Sequence, residues 1–286
     1  MSTEREVVAD DGVTLGCWVD GPDDGRPVLL LHGGPGDTDT LEALALLLPA
    51  GCRAVRFDQR GAGRSPAGGP FTVERSAADV EAVRTGLGLG RCVVIGHSWG
   101  ANLALYHQWS FPGTAAAIGY LCGTGLEWHR FKDRHKAEQR DRLGPVLSTH
   151  LDSLRADPDR APDDQDEYER LYLFTDMAPG MGAPMLADRL QREHRPGNQA
   201  ANVALNAETE ALSLDVQVEL CAGVEVPVTV VSAEHDPRPA AAVGSLVAAL
   251  PDVEQVVVPD AGHIPWLENP TAVAAVLARI VERRAS

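Results

Sequence analysis

The stretch Val93-Val94-Ile95-Gly96-His97-Ser98-Trp99-Gly100 constrains this chain more than any other. A short run of β-branched apolar residues has the composition of a buried strand. It breaks into Gly-x-Ser-x-Gly, and Ala101-Asn102-Leu103-Ala104-Leu105-Tyr106 continues as the start of a helix. Strand, sharp turn and helix in that order place Ser98 at the apex of a strained turn, projecting outward. Gly96 and Gly100 leave room for the turn and for close approach of helix to strand. A serine presented in this way becomes a nucleophile only if the chain also supplies a base, an orienting acid and donors for an oxyanion.

The segments around it alternate between strands and helices. Glu6–Ala9 and Thr14–Val19 flank Asp11-Gly12 and predict a hairpin. Val28–Leu31 is a continuous apolar run, the pattern of a strand buried on both faces. A leucine-rich helix is expected over Leu41–Leu48, a strand over Arg53–Phe57, and a helix capped by Thr72 that carries Val73, Ala77, Val80 and Val83. A further strand is expected at Ala115–Leu121. From about Gly125 to Gly223 strand-like runs vanish and charges crowd in. Four periodic segments (His129–Leu143, Asp166–Phe174, Met185–Arg195, Gln199–Leu212) predict a helical insertion after the sixth strand. Strand character returns at Val226–Val231, followed by a helix over Ala240–Leu250, a strand at Val253–Val258 and a helix over Thr271–Arg284. The expectation is an α/β fold with a mostly parallel central sheet, helices on both faces and the hairpin as an antiparallel edge. Its core takes residues 1–124 and 224–286, and the insertion takes 125–223.

Composition narrows the function. The 286 residues are enough for one large α/β domain with an insertion, and no run of about 18 apolar residues predicts a membrane span. A formal net charge of −16 argues against nucleic-acid or anionic-membrane partners. The partner expected is a small molecule or short peptide, with oligomeric state left open. The polar, acidic opening residues differ from a signal peptide, and the five cysteines are scattered without a Cys-x-x-Cys pair. Both point to a cytoplasmic chain with reduced thiols. No spacing of His, Cys, Asp or Glu suggests a metal, and no cofactor is expected.

The missing groups stand at strand ends. Asp236 lies just beyond Val226–Val231, and His263 lies in the loop after Val253–Val258. In open parallel sheets, ligands bind outside the carboxyl ends of the strands, where Ser98 also falls. Ser98 is thus the expected nucleophile, His263 its base and Asp236 the orienting acid. Glu234 and Asp260 are rivals for the acid; His235 and His97 are rivals for the base. The backbone N–H of Trp99 and that of Gly34, in His32-Gly33-Gly34-Pro35-Gly36, are the expected oxyanion donors, since Pro35 has none to offer. Gly33 and His97 would line the substrate site.

Three motifs, His32-Gly33-Gly34-Pro35-Gly36, Asp58-Gln59-Arg60-Gly61-Ala62-Gly63-Arg64-Ser65 and Ser98-Trp99-Gly100, resemble those of the proline iminopeptidase family of α/β-hydrolases. The order Ser98, Asp236, His263 is also that of α/β-hydrolases. The resemblance covers about the first 120 residues well. It implies an α/β-hydrolase core, a helical cap over residues 125–223 that closes over the serine, and acidic cap residues that bind a substrate's free amino terminus. Glu208 and Glu210 fall roughly where such an acid would sit. Two features depart from the family: His97 replaces a usual glycine, as in an esterase elbow, and the aromatic-rich segment after the cap glutamate is absent. The expected activity is an aminopeptidase-like amidase working through an acyl-enzyme. An esterase, lactonase or thioesterase is the alternative, and a non-catalytic binding protein on the same fold is a more distant one.

Overall fold

The computed structural model describes residues 2–66, 68–157, 159–193 and 195–283. The chain opens with a hairpin of β1 (Thr3–Val8) and β2 (Thr14–Asp20), longer at its start than the alternation suggested. There follow β3 (Arg26–Leu31), α1 (Glu42–Ala45), β4 (Cys52–Phe57), α2 (Val73–Gly86), β5 (Cys92–His97), α3 (Trp99–Ser110) and β6 (Ala115–Leu121). After a 3-10 turn at Trp128–Arg130 come α4 (Lys132–Ala156), α5 (Pro162–Asp176), α6 (Ala183–Glu193), α7 (Gln199–Glu210) and α8 (Leu214–Ala222). The chain then returns through β7 (Val228–Ala233), α9 (Ala240–Ala249), β8 (Val253–Val258), α10 (Pro265–Glu268) and α11 (Pro270–Glu282).

The eight strands form one sheet in the order β1-β2-β4-β3-β5-β6-β7-β8. β1 and β2 are antiparallel to each other, and β2 is antiparallel to β4; from β4 to β8 all neighbours are parallel. The continuous apolar runs are explained by what covers them. In β3, Leu29 and Leu31 join the core shared with α3, while Val28 and Leu30 join the opposite core with α11. Val94 and Val93 of β5 divide in the same way. β5 lies near the middle of the sheet and is buried at every position. The residues that follow it are therefore held from both sides.

Thr72 caps α2 as expected, its side chain accepting from the Arg75 N–H. Other elements differ from expectation. α1 is one turn long, because Leu48 precedes Pro49 and the helical conformation is disfavoured there. α4 continues past Leu143 to Ala156, with a break at Gly144 (φ 70°, ψ 175°) before Pro145. α8 was not anticipated: Leu214-Asp215-Val216-Gln217-Val218 alternates like a strand, yet Ser213 caps a helix by accepting from the Val216 N–H. α10 was also missed, and Arg284, the expected end of the last helix, lies outside the described residues.

Between β6 and β7 the described residues form helices joined by loops, with no strand among them. Leu143, Leu151, Leu154 and Leu171 form a small apolar cluster apart from the sheet's cores. α7 instead turns Leu205 into the main core. No helix among the described residues is long and apolar enough to cross a membrane. The five cysteines are buried and unpaired.

Candidate active site

Ser98 stands between β5 and α3 at φ 54°, ψ −119°, a conformation that a side chain resists. Both flanking glycines are sterically required. A Cβ on Gly96 would lie 1.9 Å from the Gly100 carbonyl oxygen, and one on Gly100 would lie 2.1 Å from that of Leu31. The elbow therefore packs directly on the end of β3. Ser98 donates its backbone N–H to the Leu121 carbonyl, which ties the apex to β6. Its hydroxyl neither caps α3 nor bonds any other described residue.

The loops after β7 and β8 bring Asp236 and His263 together. His263 Nδ1 donates to Asp236 Oδ2 at 2.8 Å, with both side chains buried. This bond fixes the tautomer that leaves Nε2 its lone pair. Burial alone would raise the Asp236 carboxyl, but attraction from His263 and from Arg238 outweighs it and holds the group well below the usual carboxylate range. The rivals lie elsewhere: Glu234 accepts the backbone N–H of Asp260, and both are exposed at the rim. His235 is anchored through its own N–H to the Ala261 carbonyl.

His97 does not compete with His263 but supports it. Its Nε2 donates to the His263 carbonyl at 2.9 Å, and the two rings lie 4.6 Å apart. Trp266 meets the His97 ring edge-on at 4.7 Å. Burial, then the neighbouring His263, pushes His97 well below the ordinary histidine value, so it is neutral.

The loop after β3 passes over the serine: a Cβ on Gly33 would lie 3.2 Å from Ser98 Cβ. Gly34, at φ 120°, turns this loop. A network not foreseen from sequence holds it. His32 donates from Nδ1 to the Gly33 carbonyl and accepts at Nε2 from the Gln59 N–H. The Gln59 side chain bonds the His32 carbonyl through its amide nitrogen and the Trp99 indole N–H through its oxygen. From the helical segment, Asn202 donates to the Pro35 carbonyl and Asn198 donates its backbone N–H to that of Gly36. The two sides of the expected oxyanion hole are thus braced by one glutamine.

Glu208 and Glu210 are committed elsewhere. Glu208 accepts the Val73 N–H at the start of α2 at 2.8 Å, a favourable place for a carboxylate. Glu210 pairs with Lys132. Sequence reasoning missed Arg238, which reaches Asp236 from the loop after β7, and Asp176, which reaches Arg238 from the end of α5; the signal available was the cation in Asp236-Pro237-Arg238-Pro239. Cys122 Sγ, an Asp236 oxygen and a His263 ring nitrogen lie within 4.8 Å of one another. The Asp236–His263 hydrogen bond and the Arg238 guanidinium already satisfy that carboxylate, so the cluster suits an ion pair and not a bound cation.

A central parallel sheet, a strained serine after its fifth strand and a buried Asp–His pair at the neighbouring strand ends define the class. The model of the Alpha/beta hydrolase family matches residues 28–276, and the chain belongs to that family. Among individual relatives, the proline iminopeptidase of Xanthomonas citri is 43% identical over 105 residues, which are 36% of this chain and 34% of that protein. The match thus spans about a third of the relative's length. The crystal structure of proline iminopeptidase from Mycobacterium smegmatis superposes with a TM-score of 0.69 at 21% identity, covering 98% of this chain and 97% of that one. An esterase from Exiguobacterium antarcticum superposes with a TM-score of 0.75 at 17% identity, covering 98% and 100%.

Proposed function

We propose that this chain is a serine hydrolase that works through an acyl-enzyme. Ser98 attacks a carbonyl while His263 Nε2 takes its proton, and Asp236 stabilises the imidazolium that forms. The N–H groups of Gly34 and Trp99 hold the oxyanion. His263 then protonates the leaving group, and water, deprotonated in turn by His263, releases the acyl product. The observation that carries this reading is the buried 2.8 Å bond from His263 Nδ1 to Asp236, which sets the tautomer the reaction needs. Residues 125–223 act as a cap over the serine, with residues 1–124 and 224–286 as the core.

The substrate is a small peptide or amide with an N-terminal aminoacyl group, as the names of the local relatives suggest. A second reading, a short acyl ester, is favoured by the engagement of Glu208 with α2 and of Glu210 with Lys132. The test compares wild type and Ser98→Ala on a prolyl anilide with a free amine, its N-acetylated twin and a short acyl ester. Cleavage of at least one by wild type and of none by Ser98→Ala is expected. Turnover that survives in Ser98→Ala refutes the mechanism, and ester cleavage indifferent to the amine refutes the aminopeptidase.

A further inference from the structure

Resting on that reading of the site, the geometry points to Asp176 and Arg238 as positioning residues that set the charge felt by His263. Four side chains form one buried line: Asp176, Arg238, Asp236, His263. Arg238 Nη1 lies 2.7 Å from Asp176 Oδ1 and 3.3 Å from Asp236 Oδ1, so a single nitrogen serves both carboxylates. Arg238 also donates its backbone N–H to Asp236 Oδ1, leaving Oδ2 to His263. Side-chain exposures along the line are 6%, 8%, 8% and 5%. Water screens this line weakly, so each charge is felt by the next.

Local preference does not explain Asp176. It is the last residue of α5, where the helix dipole disfavours an anion. The surrounding structure nevertheless fixes it there. Its carbonyl accepts the His263 N–H at 2.7 Å, and the flanking carbonyls of Thr175 and Met177 both accept from Arg142. Arg142 also reaches the His235 carbonyl, beside the triad acid. A carboxylate held against its own helix, and facing a cation that already has one anionic partner, is placed for charge balance.

The electrostatic consequence has a definite sign. Arg238 alone would draw on Asp236 and repel an imidazolium on His263. Asp176 cancels that cation, so the Asp236 charge remains available to His263. The other titratable groups around the line leave this balance in place at neutral pH. Burial keeps His97 on the elbow and His135 on α4 neutral, and keeps Cys122 after β6 and Tyr172 on α5 protonated. Glu268 on α10 is occupied by the backbone N–H groups of Ala178 and Gly262, and Arg142 is paired with Glu138. His235 anchors its backbone and faces the rim.

The test measures kcat/KM against pH on whichever substrate the wild type cleaves, together with the titration of the His263 ring by NMR in the free protein. Asp176→Asn is expected to move the acid limb, and the NMR titration with it, to lower pH by roughly one unit. Arg238→Met is expected to move both the other way. In the double variant the two charges cancel, so both midpoints return close to wild type even if stability falls. A merely structural role predicts lower kcat or Tm with unmoved midpoints, and that result overturns the proposal. If no Ser98-dependent turnover exists, the hydrolase reading fails, while the NMR titration still decides the charge line.

Discussion

Replacing Ser98 by glycine and by alanine separates its chemistry from its backbone. Both variants lose the hydroxyl, which neither caps α3 nor bonds another described residue, so its loss alone costs little stability. They differ in the Cβ. At φ 54°, ψ −119° a side chain costs on the order of 1–3 kcal/mol, and alanine retains that strain while glycine relieves it. Two opposing effects reduce the gain. Glycine adds about 0.5–1 kcal/mol of unfolded-state freedom. The lost contact with Gly33 is a fraction of the ~0.8 kcal/mol of a buried carbon. The net expectation is that Ser98→Gly is more stable than Ser98→Ala by about 1 kcal/mol. At about 2.1 cal/mol/K per residue, a chain this long unfolds with an entropy of about 0.6 kcal/mol/K, so Tm should rise by about 2 °C. Urea unfolding followed by tryptophan fluorescence, compared at equal m, provides the second measure. A glycine variant no more stable than the alanine variant would refute the claim that the elbow stores strain.

Two further outcomes follow from packing and burial. Gly100→Ala should leave no stable fold or cost more than about 3 kcal/mol, because its Cβ would sit 2.1 Å from the Leu31 carbonyl oxygen; Gly244→Ala, in open space on α9, should be neutral or stabilise by up to about 1 kcal/mol, and similar urea midpoints for the two would contradict this. His135 is 6% exposed, and burial, then Arg238, pushes it down to about 4. The unfolded chain therefore takes up a proton below about pH 6.5 that the folded chain refuses until pH 4, so stability is full above that range and falls through it. His135→Gln should reduce the loss of unfolding free energy between pH 7 and pH 5 by up to about 2 kcal/mol, and an unchanged loss in urea titrations would show that His135 does not carry it.

The legible part of the sequence was the part whose pattern is local. β3, β5 and β6 were readable because strands covered on both faces write their burial as short apolar runs; β8 was readable from its apolar run as well, although this edge strand is buried only at Val258. The elbow was readable because Gly96 and Gly100 have no steric substitute. The helical segment was read with less success. Leu214, Val216 and Val218 alternate, and only the cap at Ser213 distinguishes α8 from a strand. Glu208 and Glu210 could not be placed from sequence, since their partners, the Val73 N–H and Lys132, lie far away along the chain. The same holds for Asp176, which is 62 residues from Arg238 and looks like one more surface acid at a helix end. Gln59 was visible inside a motif, but its bridging of His32 and Trp99 is a property of the fold alone.

The seam between Asp176 and His263 limits how freely the helices between β6 and β7 could be exchanged. The His263 N–H bonds the Asp176 carbonyl, and a Cβ on Gly262 would lie 2.2 Å from the same oxygen. Glu268 clasps the Ala178 and Gly262 N–H groups from the far side, each at 2.7 Å. A graft that replaced these helices wholesale would therefore also remove part of the scaffold that seats the histidine. Recombination in this chain has a joint after residue 178, beyond the end of α5, and none before residue 175, which lies within that helix. Shuffling that keeps the chain through residue 178 with the sheet can vary α6 to α8 while leaving the histidine loop intact.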